Sequence, residues 1–156
     1  TGGKALIPQD RSAAVIRRDV KKGGTPATYV PARNSIFLAL GASAAETLGA
    51  GTLVIGANAL DYSGYVDCRP GFLKAMEKAL ALGTARGVSG KPIRILAPLL
   101  RLGKAEIVRM GQRLAVPLGM TWSCYLGCRK RCGTCDSCVL RAKGFKDAGL
   151  EDPGLP

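Results

Sequence analysis

Two rhythms of apolar and polar positions run along this chain of 156 residues. From about Asn34, the apolar residues Ile36, Phe37, Leu40, Ala44 and Leu48 fall at helical spacing, and Gly49 and Gly51 stop the pattern. TLVIGA (52–57) is a short, unbroken apolar run of the kind a buried strand shows. RPGFLKAMEKALALGTARG places Pro70 in a first turn and predicts a helix of about four turns. PIRIL (92–96) predicts a second buried strand, and KAEIVRMGQRLAV (104–116) a helix that halts before Pro117. SCVLRAKGFKDAG (137–149) predicts a closing helix. Upstream, Thr28, Tyr29 and Val30 are β-prone and end at Pro31, as a short strand would. Gly2, Gly3, Gly23 and Gly24 around a charged middle mark residues 1–24 as a loop-rich lead-in. Strands alternating with helices of these lengths predict an α/β fold with a mainly parallel sheet.

Composition narrows the classes. The chain is 47% hydrophobic, one domain's worth with enough apolar residues for a core. No apolar run approaches the ~18 residues of a membrane span, and no export leader opens the chain, so a cytoplasmic protein is expected. The first residue is Thr1 rather than Met, which points to a processed or truncated product. Lys and Arg number 23 against 11 Asp and Glu, giving a formal +12. Such a charge suits an anionic partner such as nucleotide, pyrophosphate or RNA, or simply a basic, solvated surface. There is no histidine, which excludes His-based triads, His-ligated catalytic metals and imidazole bases.

Five of the six cysteines crowd into TWSCYLGCRKRCGTCDSC (121–138). A disulfide scaffold would be short, secreted and core-poor, whereas this chain has a core and no visible export signal. In CGTCDSC, Gly133 allows a tight knuckle that aims successive sulfurs at one ion. Arg129, Lys130 and Arg131 are expected to favour the thiolate form that binds metal. A structural, closed zinc site with four cysteine ligands is therefore expected in preference to an iron–sulfur cluster or a redox pair. Spacing alone leaves open whether Cys124 or Cys128 joins Cys132, Cys135 and Cys138.

A second stretch, GANALDYSGYVDCRP (56–70), leaves the end of the first buried strand, where open α/β sheets bind ligands. It carries Asn58, Asp61, Tyr62, Ser63, Asp67 and Arg69, with Gly56 and Gly64 permitting close backbone approach. Its length exceeds the ~2–6 residues such a connection needs, which favours function over a plain turn-rich surface loop. In YVPARN (29–34), Arg33 and Asn34 sit where extended chain gives way to helix, a place suited to phosphate. The bland alternative there is an N-cap Asn34 with a solvated Arg33.

TYVPARNSIFL, GANALDYSGYVDCRP, KAEIVRMG, TWSCY and CGTCDSCVLRAKGF, in that order, resemble the 7-cyano-7-deazaguanine synthase family, over about Thr25 to Pro153. The resemblance implies a Rossmann-like ATP-pyrophosphatase domain (adenine nucleotide alpha hydrolase-like, the PP-loop superfamily) with a C-terminal zinc-binding region. It divides the chain into the lead-in 1–24, the remainder of the Rossmann-like domain at 25–118, and the zinc-binding region at 119–156. It further implies ATP-dependent conversion of 7-carboxy-7-deazaguanine and ammonia into the nitrile, through an adenylated carboxylate. The implied metal ligands are Cys124, Cys132, Cys135 and Cys138, with Cys128 surplus and Cys68 outside the metal site. Arg33, Asp61 and Arg69 are the expected catalytic residues. Asn34, Asn58, Tyr62, Ser63, Gly64 and Asp67 are expected to bind substrate or nucleotide, with Asp61 or Asp67 holding either Mg²⁺ or the guanine-like amine edge. Tyr62 would stack on a base or simply pack. A homo-oligomer without direct nucleic-acid contacts is expected.

The sequence departs from that family in one large respect. Its Ser-Gly-Gly-x-Asp-Ser pyrophosphate loop is absent, and TGGK at the start lacks both the Asp-Ser pair and a preceding strand. The expectation is that the first strands and this loop were lost by truncation, and that these 156 residues alone are inactive. Val66 and Gly71 replace the family's usual Pro and Glu, at positions not expected to contact ligand. Two alternatives compete with the ligase. One is a zinc-knuckle RNA-binding module using Arg129, Lys130, Arg131, Arg141, Lys143 and Lys146. The other is a different PP-loop enzyme, such as a tRNA thiolase or an amide synthetase.

Overall fold

The structure is a computed structural model that describes residues 28–60, 65–126 and 130–154. The lead-in 1–24, the loop positions Asp61, Tyr62, Ser63 and Gly64, and Cys128 lie outside the described residues. Two compact units result, divided between Arg101 and Leu102.

In the unit Val30–Arg101, helix α1 (Arg33–Thr47) leads into strand β1 (Thr52–Val54). A 3₁₀ turn (Val66–Cys68), helix α2 (Pro70–Gly83) and the single-turn α3 (Ala85–Val88) follow, before strand β2 (Arg94–Leu96). The strands pair in parallel, Thr52 with Arg94, Leu53 with Ile95 and Val54 with Leu96. The parallel expectation therefore holds, as do both strands and the long helix opened by Pro70. Thr84 ends that helix by capping α3 through its hydroxyl, which accepts from the Gly87 N–H at 3.1 Å.

Three expectations need correction. Residues 28–30 form a turn and irregular chain, since β-propensity over three residues ending at a proline is too weak to fix a strand. The strands are buried on one face only: Leu53 and Ile95 pack toward α1 and α2, whereas Val54 and Leu96 on the other face are exposed. In α1 the helical period was legible but its phase was not. Ile36, Phe37, Leu40, Ala44 and Leu48 face outward, and the buried positions are Asn34, Leu38, Ala42 and Ala45. Small residues let α1 lie close against the sheet, and a Cβ at Gly41 would come within 3.3 Å of Leu53.

Side chains of the helices fasten the sheet. The Glu77 carboxylate accepts from the Ile95 N–H at 2.6 Å and from Arg94 Nε at 3.1 Å. It thus occupies the outer edge of β2, the edge that does not face β1, and blunts it as a pairing surface. Glu46 similarly accepts from the Arg86 N–H at 2.8 Å, tying α1 to the start of α3. Ile93 is fully buried among Ala42, Ala45 and Leu80. Ile93→Ala is expected to cost about 2–5 kcal/mol, by lost transfer energy plus a cavity. Denaturant unfolding checks this, and a loss below ~1 kcal/mol would mean that this layer collapses freely.

In the unit beginning at Leu102, helix α4 (Lys104–Arg113) packs on helix α5 (Asp136–Ala148). Glu106 accepts from the Gly103 N–H at 2.7 Å and so covers a donor at the start of α4. The Arg109 guanidinium donates to the Asp147 carbonyl at 2.6 Å. A Cβ at Gly144 would stand 2.8 Å from that of Lys104, so glycine sets how closely the two helices approach. A 3₁₀ turn (Leu118–Met120) precedes the cysteine-rich segment. Gly149 ends α5 in the left-handed conformation, with its own N–H and that of Leu150 returning to the Lys146 and Phe145 carbonyls. No described helix is long and apolar enough to cross a membrane.

Candidate functional site

The cysteine-rich segment places three sulfurs around the start of one helix. Cys132 and Cys135 flank a turn in which Gly133 has φ 68°, a conformation that a side chain would disfavour. Cys135 caps α5, and Cys138 projects from its first turn. The fourth sulfur, Cys124, arrives from the chain after the 118–120 turn. The four sulfurs lie within 4.8 Å of one another, and those of Cys132 and Cys138 are 3.9 Å apart. A tetrahedral ion with ~2.3 Å bonds to sulfur would set them ~3.8 Å apart, whereas a disulfide would need ~2.05 Å. The described cysteines are all free thiols. Among the described residues, Cys124 joins Cys132, Cys135 and Cys138 in one cluster.

The electrostatics of this cluster call for a cation. Burial pushes the Cys132 thiol up, but the N–H groups of Cys135 and Thr134, the Thr134 hydroxyl and the Cys124 thiol outweigh it, and its pKa falls to about 6. Cys138 moves the other way, up to about 12, through burial and through the neighbouring Cys135 and Cys124 thiols. One thiolate forms readily and makes the next one costly, so four thiolates together need a multivalent ion. The N–H of Cys132 donates to the Cys124 sulfur at 3.4 Å and that of Cys135 to the Cys132 sulfur at 3.3 Å, which orients both for a metal. The residues fit a metal ion bound wholly by sulfur.

Arg131 plays a different part from the one expected. The lowering at Cys132 comes from hydrogen-bond donors rather than from Arg131, whose guanidinium turns to the buried Asp152 carboxylate at 3.5 Å and stacks 5.5 Å from the centre of the Trp122 ring. Arg141 grips the same carboxylate twice, at 2.5 and 2.7 Å. Burial alone would raise the Asp152 pKa, but the Arg141 hydrogen bond, the Gly154 N–H and the charges of Arg141 and Arg131 together lower it. Its contribution to stability is therefore present above the ordinary carboxylate pKa of ~3.9 and is lost as pH falls through the lower folded value. Lys143 pairs with Asp147. Three of the six cations expected to serve an RNA surface are thus occupied within the protein.

In the other unit, the polar stretch meets the start of α1. The Asp67 carboxylate accepts from the Asn34 backbone N–H at 3.1 Å, a cap supplied from 33 residues away. The Asn34 side chain donates to the Asp67 carbonyl at 3.0 Å and to the Cys68 sulfur at 3.3 Å. Asn34 is therefore not the N-cap. That position belongs to Ala32, held at φ 56°. Such a backbone is strained for a residue with a side chain, and the surrounding fold must enforce it. The other Asp67 oxygen is buried and has no hydrogen-bond partner among the described residues.

Cys68 is the feature that sequence reasoning missed. Burial and the Asp67 charge raise its pKa, opposed by the Asn34 amide, the Arg33 charge and the Asn58 N–H. Arg33, Asn34, Asn58 and Asp67 thus all act on this one thiol. The Asn58 side chain also donates to the Leu99 carbonyl at 2.9 Å. Arg69 is exposed just before α2. The four positions 61–64 lie outside the described residues. The polar loop and the YVPARN stretch had already pointed to Arg33, Asn34, Asn58 and Asp67, but Cys68 at their centre looks in the sequence like any buried small residue.

Comparison with known proteins matches residues 1–149 to the family described as "Queuosine biosynthesis protein QueC", lead-in included. A 7-cyano-7-deazaguanine synthase of Anaeromyxobacter dehalogenans is 52% identical over 97% of this chain and 66% of its own length. One from a Nostoc species is 49% identical over 97% of this chain and 67% of its own length. One from Thermoplasma acidophilum is 59% identical over 82% of this chain and 53% of its own length. The chain thus spans about two thirds of the first two relatives and about half of the third. With a match over nearly all of its residues and relatives near half identity, the chain belongs to the QueC family of queuosine biosynthesis proteins.

Proposed function

We propose that this chain is part of an ATP-dependent ligase of the 7-cyano-7-deazaguanine synthase type, an enzyme that makes the nitrile from 7-carboxy-7-deazaguanine and ammonia. The observation that carries this reading is the gathering of Arg33, Asn34, Asn58 and Asp67 about Cys68, near the start of α1 and beyond the end of β1, in a chain of this family. A carboxylate is a poor electrophile until one oxygen becomes a good leaving group. Adenylation supplies one: the substrate carboxylate attacks the α-phosphorus of ATP and releases pyrophosphate. Ammonia then displaces AMP to give the amide, and dehydration of the amide gives the nitrile. In such chemistry the protein positions anions and stabilises charge as it grows. This suits a site with arginines and no imidazole.

In this proposal Arg33 and Arg69 offset charge on the phosphates, and Asp61 works beside them. Asn34, Asn58, Tyr62, Ser63, Gly64 and Asp67 hold the substrate or nucleotide, and Mg²⁺ accompanies ATP. Because one Asp67 oxygen is committed to capping α1, its free oxygen is the one left for a ligand N–H. Zn²⁺ is the ion of the four-cysteine site, where a closed sulfur shell makes it structural. A Rossmann-like sheet, homo-oligomerisation and a cytoplasmic setting complete the proposal. The RNA-binding alternative is weakened by the internal pairing of Arg131, Arg141 and Lys143.

The test incubates the intact protein with ATP, Mg²⁺, ammonium and 7-carboxy-7-deazaguanine, and follows AMP and nitrile. Both products should form, and each should depend on the other substrates. Tight, steeply salt-dependent RNA binding with no AMP formed would favour the zinc-knuckle alternative.

A further inference from the structure

We propose that Asp152 is a positioning residue for the metal centre, acting through Arg131 and Arg141 to clamp together the chain segments that deliver the sulfurs. Asp152 is no ligand and lies 14 residues beyond Cys138, the last ligand in the sequence. Its side chain is only 1% exposed, and those of Arg131 and Arg141 are 5% and 11% exposed. Its oxygens receive Arg141 Nε at 2.5 Å, Arg141 Nη2 at 2.7 Å, Arg131 Nη1 at 3.5 Å and the Gly154 N–H at 3.0 Å.

The two guanidinium groups then converge on the chain ahead of Cys124. Arg131 donates to the Thr121 carbonyl at 2.5 Å. Arg141 donates to the Thr121 hydroxyl at 2.6 Å and to the Leu118 carbonyl at 3.0 Å. Arg131 immediately precedes the ligand Cys132, Arg141 stands three residues after the ligand Cys138, and Thr121 stands three before the ligand Cys124. One buried carboxylate therefore links all the segments that carry sulfurs, without touching a sulfur. Arg131 also donates to the Gly154 carbonyl, so the tail after α5 closes over the clamp.

The physical role follows from chain entropy and charge. Without the clamp, the metal alone would have to draw Cys124 to the knuckle across the intervening loop, against its conformational freedom. With the carboxylate neutralised, two buried guanidinium groups would face each other without their counter-charge, and the segments would part. Outer groups that orient metal ligands typically carry ~10–100-fold in metal affinity.

This inference rests on the metal site proposed above. The experiment measures zinc affinity by chelator competition in wild type and in Asp152→Asn, which keeps the shape and removes the charge. It is run at a temperature where circular dichroism shows both proteins folded. Lys143→Ala, which lies outside the clamp, serves as control. Asp152→Asn should bind zinc ~10–100-fold more weakly. At saturating Co²⁺ it should still show the absorption of a tetrahedral thiolate site, since the four ligands are intact. The control should match wild type. Equal zinc affinity in folded Asp152→Asn would overturn the proposal. If that variant does not fold, Arg141→Lys decides. It retains the charge but loses the planar fork, and wild-type affinity there would likewise overturn the clamp. A wild-type protein that binds no zinc would instead remove the metal site itself.

Discussion

Serine at any one of Cys124, Cys132, Cys135 or Cys138 is expected to abolish stoichiometric zinc and to unfold the segment that carries the site. The same change at Cys128 should leave one zinc per chain. The expected effect is large because structural zinc sites contribute on the order of 10–16 kcal/mol of apparent binding energy, which in such sites is also folding energy. A serine hydroxyl does not ionise at neutral pH, so it cannot replace a thiolate ligand. The surroundings add to the loss. Cys135 is fully buried, and Cys124 and Cys138 nearly so, so each serine would also bury an unsatisfied hydroxyl. Elemental analysis gives the zinc content, and X-ray absorption should find four sulfur neighbours at ~2.3 Å in wild type and in Cys128→Ser. Loss of zinc in Cys128→Ser together with retention in Cys124→Ser would reverse the ligand assignment.

The second large effect is expected in the polar site, where two kinds of substitution should separate. Arg69→Ala removes an exposed side chain. It should shift the thermal midpoint by no more than ~1–2 °C, because surface changes usually stay within ~0.5 kcal/mol. Turnover should fall by ~10²–10³, the usual cost of removing one donor that stabilises transition-state charge. Asp67→Ala should lose turnover and stability together. It exposes the α1 N-terminus by removing the acceptor of the Asn34 N–H, a capping loss of ~0.5–2 kcal/mol. Paired measurements of kcat/KM and melting temperature distinguish the two. Arg69→Ala that melts early but keeps its activity per folded molecule would assign that residue to structure rather than catalysis.

The contrast between these residues shows what the sequence could and could not convey. The cysteine cluster was legible because its chemistry is local: three thiols at short spacing before a helix have few other uses, and the coordinates bring Cys124 to them. The helices and strands were legible for a similar reason, since period and punctuation are properties of neighbouring residues. The phase of α1 was not. That helix carries apolar residues on more than one face, and which face is buried depends on how closely small Ala42 and Ala45 can approach the sheet. The strand expected at 28–30 rested on propensity alone, a weak guide for so short a segment. The cap from Asp67 to Asn34 spans 33 residues, so no local pattern could announce it. Asp152 was hidden further still, as one acidic residue in a short tail whose importance depends on two arginines arriving from elsewhere.

The uneven spacing of the sulfurs divides the cost of assembling the cluster. Cys132, Cys135 and Cys138 occupy seven consecutive positions running into α5, while Cys124 lies eight residues before the first of them. Loop-closure entropy grows with length, so Cys124 is the sulfur whose placement costs most. An ion held by all four sulfurs would therefore be expected to loosen first at the Cys124 corner, the one farthest in sequence from the helix that carries the rest.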